Sequence, residues 1–590
     1  MPIAISDDHL TLAETAADLL EARDARGATR ALLESPDDKR SALWDEMAAV
    51  GWLGLHVAED LGGSGFGLEE LAVVVEELGA AVAPGPFVPT VIASALLAEV
   101  DDDSARARVA GLVDGTTAAG IATASAVAVD GGTASGVAEA VLGGASADLF
   151  VLPVGDDVVV VERGDGVSVE VPEALDPGRR SARVTLDGAA VTVLGGERRR
   201  FADLTRLLLS AEAVGVAREC TRLAAAYARD REQFGRPIAM FQAVKHHCAN
   251  MSVAAEMATA AVWDAGRASA TGGDQFSYAA AVAATLAAPA ADLCANLNTQ
   301  VHGGIAITWE SDAHLYMRRA TTLLHFLDAA GAGEDVVDLA RRGVARAKAV
   351  ELPPDAESIR DDVKAFIEQV RGLSDDERKE ALIESGYAFP HWPEPYGRNA
   401  GAVEQLVIEE EFGAADIARP QLGITAWNIL TIVQYGTQDQ LDRWVLPALR
   451  QDVIWCQLFS EPDAGSDAAG VKTKATRVEG GWLVNGQKVW TSGAHVAGMG
   501  FATVRTNPDV PKHDGITMMV IDMHADGVEV RPLKMTSGNS EFNEVFFDDV
   551  FVPDDDVVGP VDGGWTVARA TLGNESVSIG GGTGMLSIQP

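Results

Sequence analysis

Two stretches of this chain repeat each other. Residues 51–81 read "GWLGLHVAEDLGGSGFGLEELAVVVEELGAA" and residues 386–415 read "GYAFPHWPEPYGRNAGAVEQLVIEEEFGAA". With one gap they align: a glycine, an aromatic residue, a turn rich in Gly or Pro, then a helix that closes on Gly-Ala-Ala. The spacing is far too long for a solenoid. The segments around each copy follow one order, twice. Residues 7–100 place apolar side chains at three- and four-residue spacing, which predicts helices. Residues 116–196 are β-branched runs broken by Gly-Asp turns, which predicts antiparallel strands. Residues 200–348 are Ala-rich and amphipathic, and "VELPPDAES" then reads as a linker. After it come a helical segment (356–450), a strand-rich segment (453–560) and a renewed helix from 564.

The expected fold is therefore α+β and multidomain, an internal duplication of a helix–sheet–helix unit. The expected domains are 1–115 (helical), 116–198 (sheet) and 199–348 (helical) for the first copy. A linker at 349–360 follows, then 361–452 (helical), 453–562 (sheet) and 563–590, the start of a last helical domain. The second copy stops as that domain begins. About 140 residues follow Thr205 in the first copy, and 15 follow the equivalent Glu575. The expectation is a shortened form of a longer enzyme, which on its own binds its cofactor weakly and turns over poorly.

The formal charge of -41 argues against non-specific binding to nucleic acid or anionic membranes, which needs a basic face. The four cysteines (Cys220, Cys248, Cys294, Cys456) form no CxxC pair and read as core residues of a reducing compartment. The N-terminus has no basic and apolar leader, and no uncharged apolar run reads as a membrane span. The expected location is cytoplasmic, and no metal site is expected.

Two segments carry candidate chemistry. "CQLFSEPDAGSD" (456–467) sets Ser460, Gly465 and Ser466 around a tight turn, where hydroxyls and backbone N–H groups can hold an anionic ligand. "NGQKVWTSGAHVA" (485–497) puts Trp490 at a strand end with Thr491 and Ser492 after it, a wall suited to a flat heteroaromatic ring. Taken alone, both are equally compatible with ordinary β turns.

As a set, these segments resemble the flavin-binding sheet of the acyl-CoA dehydrogenase family, in a fused two-copy form similar to actinobacterial enzymes of steroid side-chain breakdown. The resemblance implies FAD as cofactor. Leu458 and Ser460 would face the flavin ring, Trp490 and Ser492 would lie along it with Thr491 between, and Gly465 and Ser466 would lie near the flavin or the CoA arm. "FNEVFFDDVFVPDDDVVGPVDGGW" (542–565) resembles the family's last strand and its exit into the final helices. In the first half, "RDREQFGRPIAMFQAVKHHCANM" (229–251) and "NTQVHGGIAITWESDAHLYMRRA" (298–320) resemble the family's C-terminal signatures. By that likeness Arg231, Gln233, Phe234, Gln300, Gly303 and Gly304 would grip the diphosphate and adenosine of FAD in a neighbouring unit. Arg pairs with a diphosphate and glycine lets backbone come close. The first sheet has "GIATASAVAVDGG" (120–132) where the family has its Ser-Glu-Pro turn, so it is expected to bind no flavin. The whole reads as an asymmetric dimer fused into one chain, with one FAD.

The family removes an α proton with a glutamate and a β hydride with the flavin, while a backbone N–H and a flavin hydroxyl steady the thioester oxygen. "TLGNES" places Glu575 where one branch keeps that base, with Ser576 where Arg is common. Thr205 takes the position in the first half and is no base. The family's other base position falls on Leu327 or Asp328. "SIGGGTG" (578–584) would open room beside the base for a bulky or branched acyl group, or serve close helix packing. The implied partners are an acyl-CoA substrate and an electron-transfer flavoprotein or similar acceptor, and a homodimer of the fused chain is compatible. The competing readings are a flavin oxidase or monooxygenase of the same fold, and a non-catalytic partner subunit.

Overall fold

The computed structural model describes residues 6–34, 39–346, 352–353 and 356–580. The chain divides into two compact units, Met1–Glu351 and Leu352–Pro590.

The first unit opens on helices, including Asp7–Ala22, Leu68–Ala80 and Phe87–Glu99. Two four-stranded sheets fill 119–194. Long helices follow: Arg198–Asp230, Gln242–Thr271, Gly273–His302 and Ala313–Leu327. The duplicated Gly-Ala-Ala ending has a packing cause here. A Cβ on Gly79 would sit 2.1 Å from the Glu212 carbonyl oxygen, and one on Gly215 would sit 1.9 Å from that of Glu76. The Leu68–Ala80 and Arg198–Asp230 helices thus cross backbone to backbone, which only glycine at both points allows. Four charged side chains are buried at this level. Arg319 donates to Asp176 at 2.5 Å and to Glu212 at 2.6 Å, and Arg179 donates to Glu212 at 2.7 Å. Burial pushes the Glu212 carboxyl up, but the two guanidiniums outweigh it and hold it below the ordinary range.

The Gly273–His302 helix is the most apolar of the long helices described. With the short turn that follows it, it is long and apolar enough to cross a membrane by composition, although most of its apolar stretch is buried inside the unit. Its alanines let it lie against both neighbouring long helices, which explains the hydropathy without lipid.

The second unit repeats the order with different proportions. Helix Ala356–Val370 begins inside the expected linker, and Ala402–Ala414, Ile424–Tyr435 and Gln438–Leu449 follow. One eight-stranded sheet then spans 455–558. Gly481–Ser492 pairs antiparallel with Phe542–Pro553, and Trp455–Leu458 runs parallel to Met499–Arg505. The last described element is the helix Gly564–Gly580, which packs on Ile424–Tyr435. From residue 581 on, the glycine-rich segment lies outside the described residues. Gly413, the counterpart of Gly79, meets no described atom within 4 Å of a built Cβ.

The two glycines should therefore respond in opposite ways. Gly215→Ala is expected to destabilise the first unit by about 1–3 kcal/mol through overpacking. Gly413→Ala is expected to be neutral or to stabilise by up to about 1 kcal/mol through helix propensity. Thermal unfolding of both variants checks this; equal effects would contradict the crossing as the cause.

Candidate active site

The strand Trp455–Leu458 sorts its side chains by alternation. Cys456 and Leu458 are fully buried in the sheet core. Leu458 thus lies on the core side of the strand. Gln457, between them, faces the helices instead. Its Nε2 donates to Glu575 Oε2 at 3.0 Å, and its Oε1 accepts from the Trp427 indole at 2.5 Å. Asn574, next to Glu575, donates to Thr431 and Gln434 at 3.1 Å each. The Ile424–Tyr435 helix thus fixes the end of the Gly564–Gly580 helix beside the strand.

Beyond the strand the chain turns at Ser460, which is half-buried, and the turn is held from below. Glu461 is buried and accepts from the backbone N–H of Lys472 at 2.6 Å and of Thr473 at 2.9 Å. It also pairs with the fully buried Lys488 at 2.8 Å. Lys488 donates further to the Phe459 carbonyl at 3.1 Å and to Thr503 at 3.3 Å. Burial pushes the Lys488 ammonium down to about 8 against the pull of Glu461. For Glu461 burial works upward, but Lys488 and the hydrogen bonds hold the carboxyl below its usual range. Gly465 and Ser466 lie on the exposed tip, and a Cβ at Gly465 would meet nothing within 4 Å.

Two residues past Lys488 the strand bulges. The register with Phe542–Pro553 shifts between Lys488 and Thr491. Trp490 sits there with φ of 60° and 62% of its surface exposed. A bulky residue in the left-handed region is an outlier that the surroundings must enforce. An exposed indole of this size presents a flat apolar face with no protein group over most of it. Val489 donates to the Ser460 carbonyl at 2.9 Å, so the bulge and the turn are one structure. Beside it, Asn543 donates to the Thr491 carbonyl at 3.0 Å. The Thr491 hydroxyl and Asn543 Oδ1 are buried without a hydrogen-bond partner. Ser492 is half-buried on the same run. A flat ring fits this face, because it would stack on the exposed indole. No cluster of three metal-ligating side chains occurs among the described residues.

The first-unit candidates lie at helix ends. Arg231 caps the Arg198–Asp230 helix, and Glu232–Gln233 and Arg236–Pro237 form a small hairpin whose tip, Phe234, is 92% exposed. Gly303 ends the Gly273–His302 helix at φ of 65°, and Gly304 and Gln300 are exposed beside it. Tyr227 stacks on His302 at 4.3 Å, which ties these two helix ends together. Arg231, Gln233, Phe234, Gln300, Gly303 and Gly304 thus share one end of the helix bundle.

The base positions in the first unit are spent on structure. Thr205 is buried and donates its hydroxyl to the Phe201 carbonyl at 2.7 Å. Leu327 is buried. Asp328 caps helix Ala329–Arg341, accepting from Gly331 N at 3.3 Å. A cavity of about 530 Å³ remains between Thr205, Asp328, His325 and Ser125.

Helical, sheet and helical segments in this order match the domains of acyl-CoA dehydrogenases, and the chain belongs to that family. Residues 199–326 match its C-terminal domain, 456–550 its middle domain, and 6–137 and 346–452 its N-terminal domain. The family is one of FAD-dependent oxidoreductases, and FAD is the cofactor. The chain is 46% identical over 544 residues to acyl-CoA dehydrogenase FadE34 of Mycobacterium tuberculosis, covering 91% of this chain and 76% of that protein. A solved Tcur3481–Tcur3483 steroid ACAD variant is 28% identical with a TM-score of 0.54, covering 57% of this chain and 98% of the other. The ChsE4–ChsE5 complex from Mycobacterium tuberculosis is 25% identical with a TM-score of 0.52, covering 59% and 100%.

Gln457, Trp427, Asn543 and the Lys488–Glu461 pair are absent from the sequence reading. Only Lys488 and Glu461 had a signal: a lysine next to Val489 and Trp490 in a strand and an acid at a Pro- and Gly-containing turn. Lys488→Met is expected to cost about 3–5 kcal/mol, since it strands a buried carboxylate. In the wild type the Glu461 contribution is present above its ordinary value of 4.5 and is lost as pH falls through the depressed one. Acid unfolding followed by far-UV circular dichroism checks both; a variant as stable as wild type between about pH 5 and 7 would contradict the pair's role.

Proposed function

We propose that the second unit dehydrogenates a bulky acyl-CoA thioester, of the size of a steroid side-chain CoA, between its α and β carbons. The observation that supports it is the hydrogen-bonded link from Glu575 through Gln457 to the strand that leads into the Ser460 turn and the Trp490 bulge. That link supports the reading by tying one carboxylate to the strand from which the turn departs.

In this reading Glu575 takes the α proton, and the carboxyl then holds it. FAD, when bound, supplies the acceptor for the β hydride. Trp490 and Ser492 set the plane of the ring, the Ser460 hydroxyl and the Thr491 run hydrogen-bond its edge, and the exposed tip with Gly465 and Ser466 meets the CoA side. Arg231, Gln233, Phe234, Gln300, Gly303 and Gly304, gathered at one end of the first unit's helix bundle, are read as a set suited to a diphosphate and adenosine. The first unit is assigned no chemistry of its own, because Thr205 and Asp328 are engaged in helix structure. The preference for a bulky acyl group is drawn from the likeness to the solved steroid ACAD variant and from the small residues that follow Glu575 in the sequence. An electron-transfer flavoprotein is the proposed acceptor.

The test is Glu575→Gln in the FAD-loaded chain, mixed anaerobically with a steroid-CoA or a straight-chain CoA. Flavin bleaching is expected to slow by roughly 10²–10⁴-fold, the worth of a positioned base, with FAD content unchanged. The wild type is expected to bleach faster with the steroid-CoA. Wild-type bleaching by the variant would remove Glu575 as the base.

A further inference from the structure

We infer that Gln457 is a positioning residue for Glu575, locked in one amide orientation by Trp427; this rests on Glu575 being the base. The indole N–H of Trp427 can only donate. It meets Gln457 at 2.5 Å, so the amide must turn its oxygen there. The reversed amide would set one donor against another and leave the carboxylate facing an oxygen. The amide nitrogen is thereby aimed at Glu575, 3.0 Å from Oε2. Among the described residues Oε1 has no hydrogen-bond partner, so one oxygen is held and the other is left to accept a proton.

The frame around this link is fixed at several points. Asn428 of the same helix donates to the Cys456 carbonyl at 3.2 Å, which ties helix to strand one residue before Gln457. The Thr431 hydroxyl donates to the Trp427 carbonyl at 2.8 Å and accepts from Asn574 at 3.1 Å. Trp427 is itself buried. Gln457 lies between Cys456 and Leu458, both fully buried, on an otherwise apolar strand. An apolar side chain would serve packing there equally well. Its amide serves the two hydrogen bonds, and hydrogen bonds to a charged group are the stronger kind.

The experiment uses the full chain loaded with FAD and compares Gln457→Leu, Trp427→Phe and Glu575→Gln. Three quantities are read: kcat, KM, and the exchange of α hydrogens into D2O from an acyl-CoA analogue with sulfur at the β position, which cannot be oxidised. Gln457→Leu is expected to lower kcat and the exchange rate by roughly tenfold or more, the worth of a hydrogen bond to a charge, with KM and FAD content nearly unchanged. Trp427→Phe should fall between it and the wild type, because the amide is then free to flip. A wild-type exchange rate in Gln457→Leu, beside a lost one in Glu575→Gln, overturns the positioning role and leaves the base in place. Wild-type exchange in Glu575→Gln removes both. If Gln457→Leu fails to fold, an unchanged exchange rate in Trp427→Phe overturns the lock.

Discussion

A fully buried ammonium and a buried carboxylate sit beneath the working face of the second unit, and the parts of that face hang from them. Glu461 ties the Ser-Glu-Pro turn to the backbone of residues 472 and 473. Lys488 ties the same turn to the strand that bulges at Trp490. Pairs of this kind contribute little net stability, because both charges lose water. Their value lies in geometry, since two backbone N–H groups and a carbonyl are satisfied only when turn and strand are in register. The left-handed Trp490 and its exposed indole are the consequence. A strained conformation of a large aromatic residue persists only where its neighbours over-determine it.

The duplication and the asymmetry have separate physical roots. Each copy keeps the helix that ends in Gly-Ala-Ala. In the first, Gly79 and Gly215 let two helices touch, and Glu212 beside the contact closes a buried network with Arg179, Arg319 and Asp176. That unit is built for packing, and its two base positions are a hydroxyl bound to its own helix and an aspartate used as a cap. The second unit retains the turn, the bulge and the carboxylate.

Much of this was legible in the letters because the informative features are local. Gly-Asp turns between β-branched runs mark the sheets, and three- and four-residue spacing marks the helices. The Glu575 and Trp490 positions follow from short motifs and from comparing one copy with the other. Motif membership does not say which way a strand residue points, and alternation sets Leu458 on the core side. The Gly273–His302 helix has membrane length by composition, since alanine packing against helices leaves the same composition as packing against lipid. Gln457 and Trp427 left no trace, because their link joins residues far apart in the chain and depends on which way an amide faces. The start of the Ala356–Val370 helix inside the expected linker reflects the acidic N-terminal turn after the two prolines, a sound helix start rather than a spacer.

The central claim is that the sheet of the second unit, and not that of the first, carries the flavin. Its most direct test is the number of FAD molecules bound per chain at saturation, measured by flavin absorbance for the wild type and for Trp490→Ala. The predicted result is one equivalent in the wild type and a large fall in Trp490→Ala with the fold intact. Two equivalents per chain, or undiminished binding in Trp490→Ala, would contradict it.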